Sequence, residues 1–332
     1  MTIHKAKDTI HKAKDNSFKL VFGDPDLFAE FLRDFIKIDI LSDVTAEDIE
    51  DMTERFLPLF QDNKDSDTIK RVNLKDGNAP LFVIAILEHE SQVNYRTSFK
   101  MLQYITLVLT EYEKEANKNK ENASYAKDFM FPPVLPIVYF DGERKWTAAT
   151  NFLDKVELSD VFYKYIPKFE YELVNLNNYD KQELIRFGDA LSLILLIDKI
   201  TSEDGVSMLG SLPPDYIEEL RLNIPSHLHK LLADVITVLL KRINVPKSEI
   251  DVITEKIYTR RFQEMFAAFD NYDVQETRRI AKHEGVQEGI QKGIDETNSK
   301  IVLKMKKKGF ADNVISEITN LPVETLHDIY SL

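Results

Sequence analysis

An α/β fold, with a mixed sheet flanked by helices and followed by a mostly helical C-terminal region, is what this sequence predicts. Three observations carry the prediction. The apolar runs Leu81 to Leu87 and Val134 to Phe140 have the length of strands covered on both faces. Between them, YRTSFKMLQYITLVLTEYEKE places Phe99, Leu102, Ile105 and Leu109 along one side of a helix. Residues 180 to 280 then read as successive helices, punctuated by Pro213-Pro214, Pro225 and Pro246.

The elements follow in order. HKAKD occurs at His4 to Asp8 and again at His11 to Asp15, a local duplication with a seven-residue period that suits a helix. Gly23-Asp24-Pro25 breaks the chain, and Asp24 is placed to cap a helix with Pro25 at its first position. Leu27, Phe28, Phe31, Leu32 and Phe35 make that helix's apolar stripe. DTIKRVNL, from Asp67 to Leu74, alternates like a strand, and Lys75-Asp76-Gly77-Asn78 is a hairpin-type turn, so this strand and Leu81 to Leu87 run antiparallel. KNKENASYAKD is polar and predicts a loop; FEYELVNL, Phe169 to Leu176, predicts a further strand.

Leu191 to Ile200 predicts a buried helix core, and Asn177 to Asp180 a boundary. The expected organisation is an α/β domain over 1–178, a helical region over 179–280, and a tail over 281–332. In the tail, Gly285, Gly289 and Gly293 recur every four residues on nearly one helix face. Each glycine costs about 1 kcal/mol in a helix interior. Close helix packing would offset this; a weak linker helix is the alternative and the favoured one. Breaks at Lys308-Gly309 and Asn320-Leu321-Pro322 then suggest a small helix-turn-helix-like unit.

Composition limits the function. The chain has 332 residues and no cysteine, which excludes disulfides, zinc fingers and thiol nucleophiles and fits a reducing compartment. The stretch MTIHKAKDTIHKAKD lacks the apolar core of a secretory leader, and no apolar run approaches the roughly 20 residues of a bilayer span. The expectation is a cytoplasmic protein with no membrane partner. A net charge of −13 opposes polyanion binding by the surface as a whole, leaving local contacts through the lysines of 5–19 and 300–308. Without a G-x-x-x-x-G-K loop or a nucleophile elbow, neither NTP hydrolysis with a nucleotide cofactor nor serine-hydrolase chemistry has support.

The chemistry-bearing cluster is Asp67, Glu88 and Glu90. Strand alternation puts Glu88 and Glu90 on one face and His89 on the other. Asp67 and Glu88 are nearly equidistant from a turn at Gly77, which predicts that they are close to cross-strand neighbours. Three carboxylates at one end of a hairpin suit a hard divalent ion such as Mg²⁺ and phosphodiester hydrolysis. The same residues also fit a solvated rim paired with Lys70, Arg71 or Arg96, and spacing alone leaves both open. His89 is expected to pack on the following helix, Trp146 to anchor a strand and turn, and the aromatic stripe of 99–112 to be core.

The run DTIKRVNLKDGNAPLFVIAILEHESQVNYRTSFKMLQYI resembles the recombination-promoting nuclease family, also called putative transposases, in the PD-(D/E)xK nuclease superfamily. That family has an Asp before one strand, E-H-Q-S ending the next, and a helix bearing R-L-L-x-Y. Here stand Asp67, then Glu88-His89-Glu90-Ser91, then Lys100-Met101-Leu102-Gln103-Tyr104. HKAKDNSFKLVF is similar to the family's N-terminal H-D-x-x-F-K-x-x-F through Asp15, Phe18, Lys19 and Phe22. PPVLPIVYFDGERKW is similar to its P-x-V-P-I-V-x-Y-x-G-x-x-x-W through Pro133, Pro136, Ile137, Val138, Gly142 and Trp146.

The resemblance implies a PD-(D/E)xK nuclease-like αβββαβ core acting on DNA with Mg²⁺, Mn²⁺ or Ca²⁺. Asp67 and Glu88 would be metal ligands. Glu90 stands where the superfamily has lysine and this family usually glutamine; ionised, it cannot donate, so either it would be a further ligand or Gln92, two residues on, would supply the amide. Lys12, Lys14, Lys19 and Lys100 would contact DNA, and Asp15 would add a carboxylate or cap a helix. Lys100 replaces an arginine and forfeits bidentate phosphate contact. The alternative is an inactive nuclease-fold module that binds DNA or protein; homo-oligomers through the C-terminal helices are a further expectation.

Overall fold

A computed structural model describes residues 16–56, 67–74, 80–88, 93–142, 144–200, 203–270 and 274–330. Five strands form one sheet in the order β1 (Ile49–Asp51), β2 (Thr68–Val72), β3 (Leu81–Glu88), β4 (Val134–Phe140) and β5 (Glu172–Asn175). β1 to β3 are antiparallel neighbours, whereas β3, β4 and β5 are parallel. Before β2 come α1 (16–23), α2 (Pro25–Phe35) and the single turn α3 (Thr53–Phe56). Two parallel neighbours need a crossover, which α4 (Thr97–Asn119) supplies between β3 and β4. The mixed α/β class and the αβββαβ order are thus both present, with β5 added at one edge.

Local chemistry explains the elements. Asp24 caps α2 as expected, its carboxylate accepting from the amides of Asp26 (3.0 Å) and Leu27 (3.3 Å). Some boundaries differ from the sequence reading. β1 went unseen because three residues with two acids show no period. α4 continues through Asn119, so the polar loop starts only at Lys120, where Asn122 takes a left-handed φ of 60°. The last strand is the shorter Glu172–Asn175, and the turn assigned to Lys75-Asp76-Gly77-Asn78 lies outside the described residues.

The sheet separates two apolar cores by strict alternation. Phe82, Ile84 and Ile86 of β3 join Val138 and Phe140 of β4 and Met101, Tyr104 and Val108 of α4. Val83 and Ala85, with Ile137 and Tyr139, face the other way. There they meet Phe18, Phe22 and Phe31 of α1 and α2, Phe22 lying 5.4 Å from Tyr139 between ring centroids. Residues 81–86 are all buried, as the unbroken apolar run requires. Trp146 does anchor the chain after β4: its ring meets Phe140 edge-on, and its Nε1 donates to Tyr171 Oη at 3.1 Å.

The second core extends into the helices α5 (Lys181–Ile185), α6 (Ala190–Asp198), α7 (Pro214–Asn223), α8 (Leu228–Arg242), α9 (Lys247–Tyr258) and α10 (Phe262–Asp270). α6 is buried along its whole length and lies against α2. Beyond it, α11 (Val274–Lys307) continues for 34 residues into α12 (Asp312–Thr319) and α13 (Val323–Tyr330). Gly309 (φ 85°) and Asn320 (φ 55°) turn the chain between these last helices, which bury Val302, Ile315 and Leu326. Gly285, Gly289 and Gly293 lie within a continuous helix, and a Cβ added at each would meet nothing within 4 Å.

Where α2 meets the start of α6, three carboxyl groups converge. Asp189 caps α6 by accepting from Ser192 N (2.8 Å), and Glu30 accepts from Leu191 N (2.9 Å). Asp34 Oδ2 is buried with no hydrogen-bond partner. Burial, then Asp189, raises Asp34 to about 9 and Glu30 to about 8, with Arg33 opposing both. A proton on Asp34 can bridge to Asp189.

The unfolded chain loses these protons near pH 4, whereas the folded chain holds them until about 8 to 9. The folded state therefore binds more protons, and stability is lost as pH rises through that window. Asp34→Asn keeps a donor without the titration. Its melting temperature is expected to exceed the wild type's by a margin that widens from pH 5 to pH 8.5. A margin that is constant or shrinks with pH contradicts the protonated bridge.

Candidate active site

Asp67 immediately precedes β2 and shares the alternation of Ile69, so its side chain faces α4. It is 1% exposed. Both of its side-chain donors come from the first two turns of that helix. Tyr104 Oη donates to Asp67 Oδ2 at 2.7 Å, and the Lys100 ammonium pairs with the same oxygen. Lys100 and Tyr104 are four residues apart and therefore on one helix face, with the ammonium 5.5 Å from the phenol ring centroid. Burial and then the Asp67 carboxylate push the Tyr104 hydroxyl far above its ordinary range, so it stays a donor at any physiological pH.

The other carboxylate oxygen is different. Asp67 Oδ1 is buried and has no hydrogen-bond partner among the described residues. A buried charged oxygen without a partner is expensive, and in a carboxylate it is the natural position for a cation. The donor set fits a hard divalent ion: one oxygen is fixed by Tyr104 and Lys100 while the other is left to coordinate.

Glu88 ends β3 in register with Phe140. Its strand position falls in the set of Phe82, Ile84 and Ile86, the α4 side. The register corrects one expectation. Thr68 pairs with Ala85, so Asp67 aligns with Ile86, and Glu88 lies two positions further along rather than nearly opposite. Backbone alone is described for Glu88. Glu90, Gln92, His89, Lys12, Lys14 and Asp15 lie outside the described residues.

Lys19 is described and exposed on α1, but that helix packs on the sheet face opposite Asp67, with Phe18 stacked 5.6 Å from Tyr139. Two of the cations considered for a solvated rim are used elsewhere. Lys70 is fully buried and pairs with Asp51 at 2.8 Å, and Arg71 lies 3.8 Å from Glu50. Sequence reasoning treated Tyr104 as core and Lys100 as a DNA contact. The spacing of four was the available signal, yet only the packed structure shows which strand that face meets. Of the aromatic stripe, Tyr104 is buried but Phe99 is 44% exposed.

Two other features carry less chemistry. Asp24, Asp26 and His227 bring ligand-type atoms within 4.8 Å of one another. There Asp24 already caps α2 and Asp26 pairs with the His227 ring at 2.8 Å, so the group is spent on internal contacts. A groove of about 580 Å³ follows α4 past Phe99, Gln103 and Thr110, and its only charged residues, Glu111 and Lys114, pair with each other.

Among known proteins, the model of the family described as "Putative transposase, YhgA-like" matches residues 12–222. No curated protein and no solved structure matches the chain.

Tyr104→Phe removes a hydrogen bond to a buried carboxylate while keeping the ring. The expected loss of stability is about 1.5–3 kcal/mol, measured by urea unfolding at pH 7. A change near zero means that the hydroxyl does not hold Asp67.

Proposed function

Because the chain belongs to the YhgA-like putative transposase family, we propose that it is a metal-dependent DNA endonuclease hydrolysing phosphodiester bonds. The observation that carries the proposal is the buried Oδ1 of Asp67, without a hydrogen-bond partner among the described residues, next to an Oδ2 already clamped by Tyr104 and Lys100. Asp67 and Glu88 would hold the ion, with Glu90 as a third carboxylate. When bound, Mg²⁺ or a similar ion would activate water and offset the charge that builds on phosphorus.

The remaining work falls to this chain's own groups. Tyr104 fixes the Asp67 carboxylate, so that Oδ1 need not reorganise to bind. Lys100, 14% exposed at its side chain, carries its charge to the edge of the site, where a phosphate oxygen can accept from it. Unlike arginine, it acts there as a point charge without bidentate geometry. Gln92 would donate the amide hydrogen bond that an ionised Glu90 cannot. The overall charge of −13 makes binding local and salt-sensitive, centred on the first turns of α4.

The test is conversion of supercoiled plasmid to open circles by the purified chain with Mg²⁺, Mn²⁺ or Ca²⁺. Asp67→Ala is expected to lower the rate about a hundredfold or more, the scale of losing one preorganised electrostatic group. Metal titration by calorimetry should lose its heat signal in the same variant. If wild type and variant are equally inert with every ion while both bind DNA, the chain is a binding module on a nuclease fold.

A further inference from the structure

α11 parts from the rest of the chain at Glu284. That carboxylate accepts from the Lys247 amide (2.9 Å) and the Ser248 hydroxyl (2.7 Å), capping α9 from outside. From Gly285 to Thr297 the described residues are exposed, and Val302 is then buried in the small cluster with Ile315 and Leu326. Between these points Val286, Ile290, Ile294 and Ile301 are 54%, 59%, 47% and 39% exposed. At 100° per residue all four fall within a quarter of the helix circumference. Thr297 joins them and spends its hydroxyl on the Gly293 carbonyl (2.7 Å), leaving its methyl group for the face.

Such a segment lacks internal support. Three glycines in one run weaken a helix, and a helix draws most of its stability from packing an apolar face. Gly285, Gly289 and Gly293 adjoin the ridge with open space where Cβ atoms would stand. A second backbone could therefore approach closely beside the branched side chains. The two flanks of the ridge differ in charge. Lys282 and Lys300 lie on the glycine side, Lys300 within 3.8 Å of Glu296, whereas Gln287 and Gln291 put amides on the other, Gln291 donating to Asp295 at 2.9 Å. In a parallel pair of identical helices opposite flanks meet, so the Lys282 ammonium of one copy faces the Gln287 amide of the next, whose carbonyl can accept from it. In an antiparallel pair like flanks meet, which sets Lys282 of one copy against Lys300 of the other.

We propose that the ridge of Val286, Ile290, Ile294 and Ile301 is a self-association surface on which a second copy of this chain docks its own α11 in parallel. The surface is independent of Asp67 and of any phosphodiester chemistry. It would set two α/β units at the same end of a shared helical stalk.

Analytical ultracentrifugation of the full chain over a range of concentrations tests this. The wild type is expected to be a dimer, and Ile290→Asp to raise its Kd about tenfold or more, the scale of losing a buried apolar side chain in each copy. Gly289→Leu should weaken it as well. Because leucine forms helix better than glycine, a frayed helix cannot explain that loss. Both positions are exposed, so thermal melting of the body serves as the folding control. Gln287→Lys should weaken the dimer by setting like charges against each other, and Lys282→Glu added to it should restore association. A wild type that is monomeric throughout, or a dimer untouched by Ile290→Asp and Gly289→Leu, overturns the proposal; failure of the second charge change to rescue the first overturns the parallel arrangement.

Discussion

The rest of the molecule depends on β3 being buried on both faces. Its even positions close the core under α4, and its odd positions close the larger core that the N-terminal and C-terminal helices share. Neither layer could be removed without exposing half of an unbroken apolar strand. This explains how the α/β part and the helices of 184–269 contribute to one continuous cluster. It also fixes the chemistry, since the alternation that sends Phe82, Ile84 and Ile86 toward α4 governs the position of Glu88.

Much of this was legible in the sequence because it rests on local patterns. The apolar runs of β3 and β4, the Asp24-Pro25 helix start and the long amphipathic α4 all carry their own signals. β1 carries none, since three residues held by pairing with β2 need no periodicity of their own. The hairpin was legible in direction and not in register. Counting outward from Gly77 placed Asp67 beside Glu88, but the pairing of Thr68 with Ala85 puts Asp67 level with Ile86. An offset of two keeps the side-chain face, so the error changed distance along the strand and not the side of the sheet.

The partners of Asp67 were illegible for a different reason. Lys100 and Tyr104 share a face by spacing, but a helix of 23 residues has several such pairs. What selects this one is how α4 packs on the sheet through Met101, Tyr104 and Val108, which the helix sequence alone does not specify. Elsewhere the chain treats buried acids differently. Asp34 escapes an unpaired charge by keeping its proton against Asp189, whereas Asp67, among the described residues, receives two donors on one oxygen and none on the other. The first arrangement removes a charge. The second leaves an oxygen open, and the proposed metal site rests on it.

The two-faced strand also sets which length changes the gene could tolerate. One residue added or lost within β3 would carry the strand position of Glu88 to the opposite face of the sheet. A change of two residues would preserve the face and slide that position along the strand by about 7 Å. Related chains that keep this position on the face of Asp67 should therefore vary within β3 by even steps.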